Sequence, residues 1–339
     1  MYFKRLLSAL LYLIVLTSTA QKPKITVLDS SRNVSIRGLS VVNNKVLWCS
    51  GTKGMVAKST NGGKSFVWRS VTGYENRDFR DIEAFDANTA VIMAIAEPAL
   101  ILKTRDGGVT WNKVFEDSTK GMFLDAMDFL DEKEGVVVGD PVDGKFFFAY
   151  TKDAGNYWTP FSTNAKPDSG EAFFASSGSN IKIMNKQMGE ETSLLYASGG
   201  MKSRLFSNDF PRGMVLPIVQ GKESTGANAI AVMGKKAVVV GGDFANDTAT
   251  NNNCVVLDFT DGIDLQIPAT PPNGYRSSVI FIDAKTLIAC GTSGVDISYD
   301  GGINWKLISK ASFHVVQKAK NGNSIFLAGN KGRIAKINL

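Results

Sequence analysis

The sequence predicts an all-β fold, a β-propeller of seven four-stranded antiparallel blades closed by a strand from the N-terminus. Three observations predict it. A turn-forming string recurs four times, seven short segments of common pattern open successive stretches of about 46 residues, and the last stretch is one strand short.

In chain order, residues 1–20 read as an export signal. Lys4 and Arg5 supply positive charge, Leu6 to Leu16 an apolar run, and Ser18-Thr19-Ala20 a small-x-small ending with cleavage expected near Ala20. The run is about half of the roughly 20 residues a spanning helix needs, so no membrane span is expected in the mature chain. Residues 21–339 then form one propeller domain. Lys24-Ile25-Thr26-Val27-Leu28-Asp29 is the spare strand, because the final stretch stops at Ile334-Ala335-Lys336-Ile337-Asn338-Leu339, a third strand with no fourth. Pairing the two closes the ring and covers the open edge.

The seven inner strands are expected to begin at Ile36-Arg37, Phe79-Arg80-Asp81, Phe123-Leu124-Asp125, Gly170-Glu171-Ala172-Phe173-Phe174, Ala227-Asn228, Tyr275-Arg276 and Phe313-His314. Each precedes a polar turn and a β-rich run ending in small residues, from Val46 to Gly51 in the first stretch to Ser324 to Gly329 in the last. Extra length gathers at 163–169, 187–192, 208–219 and 244–253, which read as loops.

The repeated string is clearest in Thr104-Arg105-Asp106-Gly107-Gly108-Val109-Thr110-Trp111. It returns at 151–158 and 298–305, and in weaker form at 59–66, with successive spacings of 45, 47 and 147 residues from Asn61 to Asp106, to Asp153 and to Asp300. Its chemistry is that of a hairpin staple: Asp or Asn accepts backbone N–H groups, the glycines take positive φ, and the aromatic packs back between sheets. The string resembles the Asp-box of propellers such as sialidases, sortilin-type receptors and the photosystem II assembly factors. The whole mature chain is similar to exported bacterial relatives of those assembly factors. That resemblance implies a structural role for the box and a non-catalytic task of binding protein, with an arginine patch comparable to Arg37, Arg80 and Arg276. The sialidase branch implies the alternative, three arginines clamping a carboxylate beside catalytic acids. Here Ile36-Arg37-Gly38-Leu39 lacks that branch's Arg-Ile-Pro core, and seven repeats replace six blades.

Composition narrows the chemistry. The chain has 339 residues, 38 Lys+Arg against 32 Asp+Glu, one His and three Cys, too few soft ligands for a structural zinc cluster. The charge of +6 is not organised into a basic stripe, so nucleic acid is not an expected partner. No Gly-x-Gly-x-x-Gly follows a strand and opens a helix, so no dinucleotide cofactor is indicated, and no metal site is expected. Cys49, Cys254 and Cys290 read as buried, reduced residues.

Function in a propeller gathers where inner strands start and where second strands turn into third ones. At that channel mouth the candidate catalytic acids are Asp81, Asp125 and Glu171, and the candidate ligand-binding residues are Arg37, Arg80, Arg276, Asn228, Asp243, Asn246 and His314. Mixed guanidiniums, carboxylates and amides suit a protein segment or an anionic or glycan ligand. The expectation is a monomeric binding or assembly propeller, with a glycan-active hydrolase or lyase as the alternative.

Overall fold

The computed structural model describes residues 22–184 and 193–339; the predicted leader 1–20 and the predicted loop 187–192 lie outside the described residues. The strands form seven blades. Blade 1 runs outward through Ile36–Val41, Leu47–Gly51, Met55–Ser59 and Val67–Ser70, and blade 2 through Phe79–Ala84, Ala90–Ala94, Ala99–Thr104 and Asn112–Asp117. Blades 3, 5 and 6 repeat this plan from inner strands Leu124–Phe129, Thr225–Met233 and Ser278–Phe281. Blade 7 has only Val315–Lys318, Ile325–Ala328 and Ile334–Asn338 from the C-terminal stretch. Its outer strand is Lys24–Asp29, which pairs antiparallel with the last strand from Lys24↔Asn338 to Val27↔Ala335. Closure by the N-terminal strand is therefore as the sequence predicts. No helix among the described residues is long and apolar enough to cross a membrane.

Burial explains why this arrangement holds. Central strands such as Leu47–Gly51, Ala90–Ala94 and Leu287–Gly291 are buried along their whole length because each lies between two neighbouring blades. The seven apolar clusters sit at the seven blade junctions; Ile36, Leu47 and Phe326, for example, join blades 1 and 7. Cys49, Cys254 and Cys290 are free, and burial pushes all three thiols up.

All four repeated strings fold as the same turn between third and outer strands. In blade 2 the Gly108 amide donates to Thr104 Oγ1 at 3.0 Å, while Asp106 Oδ1 accepts from the amides of Val109 and Thr110 at 3.0 and 2.9 Å. The Gly155, Gly302 and Gly63 amides donate in the same way to Thr151, Ser298 and Ser59 at 2.9, 3.0 and 2.9 Å. The aromatic then turns inward: Trp158 meets Phe129 edge-on at 5.8 Å, and Trp111 meets Trp48 at 6.4 Å.

Blade 4 departs from the expectation. Its inner strand is Ile181–Met184, followed by Ser193–Ala197, Arg204–Ser207 and an outer strand of two residues, Met214–Val215, inside the stretch read as a loop. The segment expected to be its inner strand instead contributes Glu171–Ala172, which pairs with Gly199–Gly200 at the edge of the sheet of blade 5. The link from blade 3 into blade 4 thus runs from 162 to 180, whereas the link from blade 1 into blade 2 runs only from 71 to 78.

Candidate functional site

Antiparallel pairing puts the start of each inner strand beside the end of the second strand, as Ile36↔Gly51 shows, so both project at one face. The repeated turns lie at the other. On the first face four inner strands carry an extra, unpaired residue, and the four residues are Arg37, Arg80, Asp125 and Asn228. A bulge leaves its residue outside the ladder and re-aims the side chain, which is how polar groups leave the apolar blade junctions. All four residues are polar positions legible in the sequence, whereas the bulges are not, because a bulge is a property of the pairing and not of the strand alone.

Arg276 stands one step away from that ring. Its backbone N–H bonds Gly241 as that of Ile36 bonds Gly329, so it occupies the core register of Ile36, and Ser277 takes the place of Arg37. A slip of one residue exchanges the two faces of a strand. Arg276 is fully buried, paired with Asp296, and donates to Tyr275 O at 2.7 Å, Ser293 Oγ at 2.8 Å and Asn273 O at 3.0 Å.

The link into blade 4 crosses the mouth. Arg80 Nη1 donates to Ala175 O at 3.4 Å and Arg37 Nη1 to Ser176 O at 3.3 Å. Ser176 Oγ donates to Asn228 Oδ1 at 2.9 Å, which also accepts from Tyr275 Oη at 2.7 Å. Ser177 Oγ donates to Ser277 O at 2.6 Å, and the Ile230 amide donates to Ser179 O at 2.7 Å. Gly178, at φ +64°, passes so near Asp81 that an added Cβ would overlap the Asp81 carboxylate. The segment therefore meets blades 1, 2, 5 and 6 at once.

The acids are held in different ways. Asp81 is buried and accepts the amides of Ile82 and Met127 at 2.8 and 2.7 Å, while burial raises its pKa well above the carboxylate range. Asp125 is fully buried, and the backbone amides of Asp140 and Ala175 act on its carboxylate. Burial, then the charge of Asp140, raises it well above that range, opposed by Arg80. Asp140, pushed up to about 6 by burial, accepts the Phe173 amide at 2.8 Å. Glu171 is closed in an ion pair with Arg204, whose Nε donates to it at 2.9 Å, and it also accepts from Ser198. Asp81, Asp125 and Glu171 are thus all buried, Asp125 within reach of the Asp140 charge and Glu171 closed on Arg204, and none is exposed to solvent.

His314 is buried with Nε2 unpartnered, and burial followed by the charge of Arg37 lowers it to about 4. On the same face Asp243 ends the second strand of blade 5, with its Oδ1 accepting the Ala245 amide at 2.9 Å, and Asn246 lies in the turn that follows, but neither joins the ring. Beside them sequence reasoning missed an apolar rim: Phe244 is 48% exposed and packs edge-on against Phe174 at 5.8 Å, and Met201 is also 48% exposed. Their only signal was position in turns between second and third strands. Among the described residues no group of three or more His, Cys, Asp or Glu is placed to hold a metal ion.

No family model matches the chain, and no curated protein matches it. Solved structures do. A structure of YCF48 bound to a D1 peptide is 15% identical, with 94% of this chain and 97% of that one covered at a TM-score of 0.59. YCF48 from Cyanidioschyzon merolae is 15% identical over 92% and 98%, with a TM-score of 0.60, and U3-55K is 12% identical over 93% and 98%, with a TM-score of 0.63. At such identities the likeness is one of fold.

Proposed function

We propose that this chain is an exported propeller of the Asp-box type whose task is to bind a segment of a partner protein at the face where its inner strands begin. The carrying observation is the composition of that face. Arg37, with no ion pair among the described residues, and Arg80 lie beside Asn228 and Tyr275, and next to them Phe244 and Met201 hold apolar surface in solvent. Guanidiniums take carbonyl and carboxylate oxygens, and exposed aromatic and Met side chains are what a protein contact buries. That a YCF48 of the same fold holds a peptide supports the reading. The burial of Asp81, Asp125 and Glu171 favours binding over cleavage of a glycan, which needs two reachable carboxyl groups.

Pull-down from cells that make the chain tests this, comparing wild type, Arg37→Glu/Arg80→Glu and, at the opposite rim, Tyr157→Ala. Proteins retained by wild type and Tyr157→Ala and lost by the double variant are expected; loss only with Tyr157→Ala contradicts the reading. Export is part of the proposal. The closing strand starts at Lys24, so removal of residues 1–20 leaves it whole. N-terminal sequencing should begin near Gln21, and an intact Met1 would refute cleavage.

A further inference from the structure

The segment across the mouth is held mainly by its backbone. Arg80 and Arg37 take the carbonyls of Ala175 and Ser176, Asp140 takes the amide of Phe173, and the Ile230 amide donates to Ser179. The hydroxyls of Ser176 and Ser177 add side-chain bonds to the blades, the first to Asn228 and Tyr275 and the second to the Ser277 carbonyl. Recognition through backbone groups, with small side chains that fit, is how proteins hold extended peptides. Behind the segment Asp125 lies fully buried, and the Ala175 amide of the segment acts on its carboxylate. Buried acceptors are nearly always satisfied, and the segment brings a backbone amide to this one.

We propose that the channel mouth is a peptide site whose occupant in this structure is the chain's own segment 174–179. An extended segment of a partner protein, rich in small and hydroxyl-bearing residues, displaces this self-ligand and takes over its bonds to Arg37, Arg80, Asn228 and the Ser277 carbonyl. A backbone amide of the incoming segment takes the place of that of Ala175 at Asp125. The inference rests on reading this face as the binding surface. Its consequence is that binding is conditional, because apparent affinity falls by the fraction of molecules in which the internal segment has left.

Native-state hydrogen exchange on the full chain, with a fluorescent synthetic peptide copying residues 171–180, provides the test. In wild type the amides of Ala175 and Ser176 should exchange at least about tenfold faster than those of Ile92 and Val239 in the blades, through an opening that leaves the blades protected. Gly178→Ala, which strains the turn against Asp81, should raise peptide affinity by about tenfold or more. Ser176→Cys/Asn228→Cys, oxidised to join side chains that already meet, should abolish peptide binding until reductant is added. Exchange of segment amides only on global unfolding, or equal peptide affinity in wild type and oxidised double-cysteine variant, overturns the proposal. Should Gly178→Ala not fold, wild type and the double-cysteine variant decide alone. A segment that never opens, together with partner loss in Arg37→Glu/Arg80→Glu, sinks this inference and leaves the binding face standing.

Discussion

Blades 2 and 4 have the same number of strands and are stabilised differently. Blade 2 has an inner strand of six residues, Phe79–Ala84, and its third and outer strands are joined by the stapled turn of Thr104, Asp106 and Gly108. Blade 4 has an inner strand of four, Ile181–Met184, an outer strand of two and no such turn, and its approach is anchored by Arg204. That side chain pairs with Glu171 and donates to the carbonyls of Arg212 and Lys166, both at 2.8 Å. Where local turn chemistry defines a hairpin, the blade is specified by its own residues. In blade 4, where it is missing, long-range polar contacts take over, and the freed length of chain is available to cross the mouth.

The largest effects should break this comparison from both sides. Trp305→Ala removes a buried aromatic of the regular blade 6, and should cost about 3–5 kcal/mol in urea unfolding. Arg204→Ala leaves Glu171 buried without its partner and should cost about as much, with part recovered when Glu171→Gln is added. A loss below about 1 kcal/mol for Arg204→Ala would show that blade 4 is held by something else.

Next come two groups that face pH in opposite directions. Asp140 has its pKa raised from 3.8 to about 6, so its stabilising contribution is present at low pH and lost as pH rises through that window. His314 is lowered from 6.5 to about 4, so its contribution is present above 6.5 and lost as pH falls through the window. Each amounts to roughly 3 kcal/mol at most, and they oppose one another between pH 4 and 6.5. Relative to wild type, Asp140→Asn should gain stability as pH rises across this range, and His314→Gln should lose it. Parallel stability curves for the two variants would show that neither group titrates as described.

Gly178→Ala should cost about 1–2 kcal/mol, from positive φ and overlap with Asp81, while blade amides stay protected. The smallest effect is expected for Arg80→Ala. Its side chain is 27% exposed and pairs with a similarly accessible Asp78, so stability should change by about 0–1 kcal/mol while partner binding falls. Melting curves with wild-type binding would contradict the role given to Arg80.

The blades were legible because their signals are local. The turn string carries its own hydrogen bonds, and the spare strand Lys24–Asp29 lies where the short last repeat requires it. What was not legible depended on partners distant in sequence. Gly170-Glu171-Ala172-Phe173-Phe174 has the apolar content of a strand start, yet the short strand Ile181–Met184 fills that place. Tyr275-Arg276 imitates Phe79-Arg80 by type, but pairing shifts it by one residue, and the shift carries Arg276 into a closed ion pair with Asp296. Arg276→Ala should therefore behave like Arg204→Ala and not like Arg80→Ala. The apolar rim was invisible because nothing in a turn residue announces that it is left in solvent.

The most direct test of the binding face is site-specific photocrosslinking in cells that make the chain, with a photoreactive side chain placed at Met201 on the mouth face or at Tyr157 on the opposite rim. The two positions are 48% and 68% exposed, so access favours the second. The account predicts a protein adduct from position 201 that disappears with Arg37→Glu/Arg80→Glu, and none from position 157. Adducts from 157 alone, or from 201 undiminished by the double variant, would contradict it.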